Sequence, residues 1–247
     1  MVTKKIVSLQ HPLVKHWVQL RAHRPYREEK KQLLLMGEKT IRELAEKYLI
    51  KTLITLAPAP EIPASEHYIV SEAILKKITG LEAPDGFAAE VALPEPRDVS
   101  TKQSVLILDQ ISDPGNLGTL LRTALALGWD GVIFTPGTVD PFNDKALRAS
   151  KGAIFHLHYS HLTPEEITAW FKEKRIHAYA ADLEGQPLKG SAFKLPIALI
   201  LSHEALGPAT WALETATKIT IPMAPSVESL NVAASGAILL YQMRPIS

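Results

Sequence analysis

The sequence predicts an α/β protein in two parts: a small α/β region first, then a larger region built on a parallel sheet covered by helices on both faces. Three observations lead there. Beyond residue 103, short continuous apolar runs alternate with stretches of helix length, the pattern of strands buried on both faces. Residues 93–102 interrupt the hydrophobic pattern with two prolines and a polar run, as a linker does. With 247 residues, 46% of them hydrophobic, the chain is long enough for two cores. The reading is therefore a first domain over residues 1–95, a linker over 96–103 and a second domain over 104–247.

In the first region the order of elements is a helix at 40–48, a strand at 51–57, a short helix at 71–78 and a strand at 87–93, an α/β sandwich. In the second, the run 104–108 is a strand, 112–116 a turn and 117–127 a helix. A strand at 131–134 and a short helix at 143–149 follow. Residues 164–174 are helical, 176–181 and 197–201 are strands, 208–215 is a helix and 218–221 a strand. A last helix spans 231–243. Ligands of such sheets bind at the carboxyl ends of the strands, which directs attention to the loops after residues 108, 201 and 221.

Composition removes several classes of chemistry. The chain has no cysteine, hence no disulfide, thiolate metal site or cysteine nucleophile. Lys4 and Lys5 near the start are followed by no long apolar run, so no signal peptide is expected, and no stretch has the roughly 20 apolar residues that span a bilayer. A soluble, cytoplasmic protein is expected. The net charge is +1, yet residues 1–47 hold eleven Lys and Arg against five Glu. Such a cluster suits phosphate attraction, and equally a solvated helix face with pairs such as Glu43–Lys47.

The standard nucleotide motifs are absent: no G-x-G-x-x-G follows the first strand of the second region, and no P-loop or G-x-S-x-G occurs. His203 and Glu204 open like a zinc-protease helix but lack the second histidine. His156, His158 and His161 lie close in sequence, the first two on one face of an expected strand, but without a carboxylate nearby. No metal is expected.

Three loops remain. The first, SDPGNLGTLLRTA (112–124), offers Asn116 as a helix cap. It also offers Arg122 about 1.5 turns into the helix, as a phosphate-reaching guanidinium or a plain surface residue. The second, LSHEALGPA (201–209), turns into a helix. The third, IPMAPSVESLNVAASGAILLYQ (221–242), places Ser229 and Asn231 ahead of a helix apolar nearly all round, which is buried or faces another subunit. A polar helix start facing a pocket suits a small ligand.

Together these loops resemble the three motifs of the SpoU-type (TrmH-like) branch of the SPOUT methyltransferases. Residues 147–155 (LRASKGAIF) are similar to the segment that family carries between its first two motifs. The pattern SLQHPLVKHWVQL followed by LLLMGEKTIREL resembles its substrate-binding domain. The resemblance implies a trefoil knot in the C-terminal domain, a usual homodimer, S-adenosylmethionine as cofactor and methyl transfer to an RNA ribose 2′-hydroxyl. Ribosomal RNA is the first expectation. Transfer RNA, or a non-catalytic RNA-binding homologue, is the alternative.

On the family pattern the cofactor is held by Leu201, Ser202, His203, Ala205, Gly207, Ile221, Met223, Leu230, Asn231 and Val232. The polar site positions are Arg122, Asn116, Glu204, Asn231 and Ser229. Two residues depart from the pattern, since the family commonly has glycine at the positions of Ser202 and Ala205. A positive φ at alanine costs roughly 1 kcal/mol. The loop here therefore either takes ordinary dihedrals or binds the cofactor less well.

Overall fold

The computed structural model describes residues 3–59, 61–188 and 193–244. The chain forms two compact units, Met1–Glu95 with Phe142–Gly152, and Pro96–Pro141 with Ala153–Ser247.

In the first unit the elements run β1 (Thr3–Ile6), α1 (Pro12–Ala22), α2 (Arg24–Lys30), β2 (Gln32–Met36), α3 (Glu38–Ala45), β3 (Ile50–Thr55), β4 (Ala64–Val70), α4 (Glu72–Thr79) and β5 (Phe87–Ala92). The sheet order is β1-β4-β3-β5-β2, parallel across β1, β4 and β3 and antiparallel where β5 meets β3 and β2. The four predicted elements correspond to α3, β3, α4 and β5. Their neighbours β1, α1, α2, β2 and β4 are additional. The signal for α1 is visible in retrospect. Pro12 occupies the first turn, the His11 ring accepts from Leu13 N, and Val14, Trp17 and Leu20 recur every three residues and are buried.

One carboxylate lies inside this unit. Glu90 on β5 accepts hydrogen bonds from Lys51 Nζ at 2.9 Å, Thr52 Oγ1 at 3.2 Å and Trp17 Nε1 at 3.3 Å, and His16 Nε2 lies 3.3 Å away. Burial pushes its pKa up, but the hydrogen bonds and charges of His16 and Lys51 outweigh that and hold it at about 2.

The second unit contains β6 (Ser104–Asp109), α5 (Pro114–Ala126) and β7 (Gly131–Phe134). The chain next forms α6 (Asp144–Ser150), which groups with the first unit and packs on β2 there. It returns through a 3-10 turn, Ala153–Phe155, to β8 (His158–His161), α7 (Pro164–Lys174), β9 (His177–Pro187), β10 (Ile197–Ser202), α8 (Thr210–Thr215), β11 (Thr217–Thr220) and α9 (Val232–Gln242). The six strands lie in the order β11-β9-β10-β6-β7-β8, all parallel. Every residue of β6 and β10, the central pair, is buried, as expected for parallel strands covered on both faces. The parallel α/β sheet read from the sequence is the one present.

Three details differ. The strand expected around the histidines begins only at His158, as β8, and His156 lies before it, so His156 and His158 do not share a strand face. β9 continues to Pro187, well past residue 181. The last helix is not enclosed: Ile238 and Tyr241 of α9 are exposed.

Candidate active site

The carboxyl ends of β6 and β10 start the site. After β6, helix α5 begins at Pro114, earlier than predicted, and its cap is Asp113, whose Oδ1 accepts from Asn116 N at 2.8 Å. Asn116 is therefore not the cap. Asp113 satisfies the open end of the helix, which leaves the Asn116 carboxamide free for longer-range contacts.

Those contacts join all three loops. Asn116 Nδ2 donates to Glu204 Oε1 at 2.6 Å, and Asn231 Nδ2 donates to the same oxygen at 3.0 Å and to Asn116 Oδ1 at 3.1 Å. Val232 N also donates to Glu204 Oε1, at 3.2 Å. Asn231 caps α9, its Oδ1 accepting from Ala233 N and Ala234 N. Glu204 thus sits at a helix amino terminus, where the backbone dipole favours a carboxylate.

The loop after β10 is held from both sides. Ser202 Oγ donates to the buried Asp109 carboxylate at 3.4 Å, and Thr135 Oγ1 donates to it at 2.8 Å. Ala205 N donates to His203 Nδ1 at 3.1 Å, and Gly207 N to His203 O at 2.9 Å. Gly207 has φ +67°, a left-handed conformation that favours glycine. Ser202 and Ala205 have no positive φ. The two departures from the family pattern therefore sit in ordinary backbone conformations.

Beside this cluster lies a cavity of about 350 Å³, within the usual range for small-molecule sites. Of the expected cofactor contacts, Leu201, Ser202, His203, Ala205, Gly207, Ile221, Met223, Leu230 and Val232 line it, as do Glu204 and Ser229. Asn231 does not line it, but is tied to Glu204. Arg122 stands apart from the cluster: it is exposed and makes no hydrogen bond or ion pair among the described residues. It lies about 2 turns into α5, and six residues of helix turn place it roughly 120° around the axis from Asn116.

The sequence reading missed the opposite wall, which β9 and β11 supply through Ala181, Asp182, Leu183, Ile219 and Thr220. Among the described residues no lysine or arginine lines the cavity, while Asp182 and Glu204 do. Apolar walls for a flat ring system, with carboxylates and no cation, suit a cationic nucleoside such as S-adenosylmethionine. Among the described residues no group of three or more His, Asp or Glu is gathered for a metal ion.

The profile of a family described as "SpoU rRNA Methylase family" matches residues 103–241, more than half of the chain. A 23S rRNA (guanosine(2553)-2′-O)-methyltransferase of Bacillus subtilis is 32% identical over 98% of this chain and 99% of its own. An AdoMet-bound rRNA methyltransferase from Sinorhizobium meliloti has the same fold, with TM-score 0.85 and 25% identity over 97% of each chain. A putative RNA methyltransferase of the TrmH family from Porphyromonas gingivalis gives TM-score 0.83 and 31% identity over 96% of this chain and 98% of that one.

Proposed function

The chain belongs to the SpoU rRNA methylase family, and on that premise we propose that it methylates a ribose 2′-hydroxyl of ribosomal RNA with S-adenosylmethionine. The observation that carries this reading is the meeting of Asn116, Glu204 and Asn231, one from each of three distant loops, beside a cavity that no described lysine or arginine lines. S-adenosylmethionine supplies a methyl group on a positively charged sulfur, already activated for transfer.

The chain's own residues bind, align and shield. The cofactor is held by Leu201, Ser202, His203, Ala205 and Gly207 from one loop and by Ile221, Met223, Leu230, Asn231 and Val232 from the other. Glu204 and Asn231 hold these loops together, Asn116 orients the ribose, and Ser229 adds a polar contact. Arg122 holds the neighbouring phosphate and stabilises negative charge developing on the 2′-oxygen. A guanidinium stays protonated and does not serve as the base. The exposure of Arg122 and its lack of a protein partner support this role, because an anion from outside meets no competitor there.

Residues 1–95 are assigned to RNA binding and 104–247 to catalysis. Ribosomal rather than transfer RNA is favoured because likeness to the Bacillus subtilis 23S rRNA enzyme runs through both regions. Two further parts of the reading are a homodimer and the trefoil crossing. Exposed Ile238 and Tyr241 on α9 support the first. The second is supported by β11 lying at the sheet edge while α9 returns to pack on α5 and β10. No described helix is long and apolar enough to cross a membrane, and a cytoplasmic location belongs to the same reading, supported by likeness to the Bacillus subtilis 23S rRNA enzyme.

The test is calorimetric titration with S-adenosylmethionine, followed by methyl transfer to ribosomal RNA and nucleoside analysis for 2′-O-methylation. Saturable binding and a 2′-O-methyl product are expected. Absence of binding up to millimolar ligand by the folded protein would overturn the reading in favour of a non-catalytic RNA-binding homologue. A product in transfer RNA alone would overturn the substrate.

A further inference from the structure

The far wall of the cavity is built by an irregularity in β9. Tyr179 and Ala180 pair with Thr217 and Lys218, but the next residue of β11, Ile219, pairs with Gln186, and Thr220 with Pro187. One step along β11 is matched by six along β9, so residues 181–185 leave the ladder as an excursion. Such bulges re-aim side chains beside functional sites. This one brings Ala181, Asp182 and Leu183 to the cavity.

The excursion is held at three points. Asp182 Oδ1 accepts from Glu184 N at 2.7 Å, closing a tight turn. Glu184 Oε2 lies 3.8 Å from Lys218 Nζ on the adjacent strand. Gly185 packs so closely on Ile219 that a Cβ there would meet its backbone at 2.5 Å. Asp182 is therefore presented by a fixed turn. Its second oxygen, Oδ2, has no partner among the described residues.

The two carboxylates of the cavity differ in their neighbours. Glu204 Oε1 already gathers three donors. Asp182 receives one backbone N–H, and among the described residues no Lys or Arg lines the cavity to balance it. A half-buried carboxylate with a free oxygen calls for a donor that carries positive charge. S-adenosylmethionine has two cationic centres, a sulfonium without any N–H and an ammonium with three.

We propose that Asp182 binds the ammonium group of the cofactor's amino-acid end, through the oxygen left free by its turn. The inference rests on the cofactor assignment made above. Asp182 stands on β9 and takes no part in the hydrogen bonds that join Asn116, Glu204 and Asn231, so its role here is to recognise the cofactor rather than to act on the reacting atoms.

The experiment is a binding cycle at equilibrium. S-adenosylhomocysteine and its analogue lacking the α-amino group are titrated against the wild-type protein and against Asp182→Asn. Asparagine keeps an acceptor for Glu184 N and removes the charge. Wild type should bind the deaminated analogue about tenfold more weakly than the parent. Asp182→Asn should weaken the parent by about the same factor and leave the analogue unchanged.

Equal wild-type affinity for the two ligands would overturn the proposal, and that comparison needs no variant to fold. Equal weakening of both ligands in Asp182→Asn would also overturn it, leaving Asp182 a purely structural residue. A wild-type protein that binds neither S-adenosylmethionine nor its product would instead refute the methyltransferase reading itself.

Discussion

Asn116 and Glu204 stand 88 positions apart in the chain, yet the carboxamide donates to the carboxylate at 2.6 Å. The bond closes the gap between the loop after β6 and the loop after β10, and Asn231 locks onto the same oxygen from the start of α9. Glu204→Ala removes one acceptor from three donors. These groups are open to water, so the stability loss should be about 1 kcal/mol. The cost to kcat/KM should be larger, about tenfold to a hundredfold, because the loops lose their common anchor. Glu204→Gln, which keeps an acceptor oxygen, should fall between. Steady-state kinetics beside thermal melts check this, and an Ala variant with unchanged kinetics would remove Glu204 from the site.

Arg122 should behave in the opposite way. It supports no part of the fold, so Arg122→Ala should leave the unfolding free energy within about 0.5 kcal/mol of wild type. S-adenosylmethionine affinity should also be unchanged. Turnover should fall by about a hundredfold or more if its charge stabilises the developing oxyanion. Wild-type single-turnover rates with normal RNA binding would refute that role.

The parallel sheet was legible in the sequence because its central strands, SVLILD and IALILS, contain the uninterrupted apolar runs VLIL and IALIL. The loops after β6 and β10 could be located for the same reason, whereas the third follows β11, whose TKIT is not an apolar run. The Asn116 cap was misread because Asp113 and Asn116 are both capping types, and only the helix start decides between them. The Asp182 wall was invisible for a different reason. It depends on a five-residue departure from pairing with β11, and pairing register is a tertiary property that periodicity along one strand does not encode. In the first unit, β2 and α1 carried readable apolar patterns that went unassigned, whereas β4 alternates weakly, with Glu66 and His67 beside each other.

Glu90 gives the first unit a defined acid sensitivity. Its folded pKa of about 2 lies below the ordinary value of 4.5, so ionised Glu90 favours the folded state. That contribution is fully present above about pH 5 and declines as the pH falls from 4.5 towards 2. Glu90→Gln should cost about 2 kcal/mol at neutral pH, since Lys51 and His16 lose a charged partner. It should also flatten the stability profile across that window. Chemical denaturation at pH 7, 5 and 3 reads both effects, and an unchanged slope in the variant would show that other carboxylates govern acid unfolding.

Gly185 tests whether the β9 excursion shapes the cavity. An alanine Cβ would lie 2.5 Å from the Ile219 carbonyl carbon and 2.6 Å from its nitrogen. Backbone cannot yield as a flexible side chain does, so either the excursion or β11 must shift. Overpacking of this kind costs about 1–3 kcal/mol, which for a unit of this size lowers the melting temperature by about 2–10 °C. Because Asp182 and Leu183 ride on the same turn, Gly185→Ala should also weaken S-adenosylmethionine by about tenfold. Arg122→Ala provides the control, with ligand affinity intact. A Gly185→Ala protein that melts lower yet binds the cofactor normally would show that the excursion serves stability alone, and that the far wall contributes little to recognition.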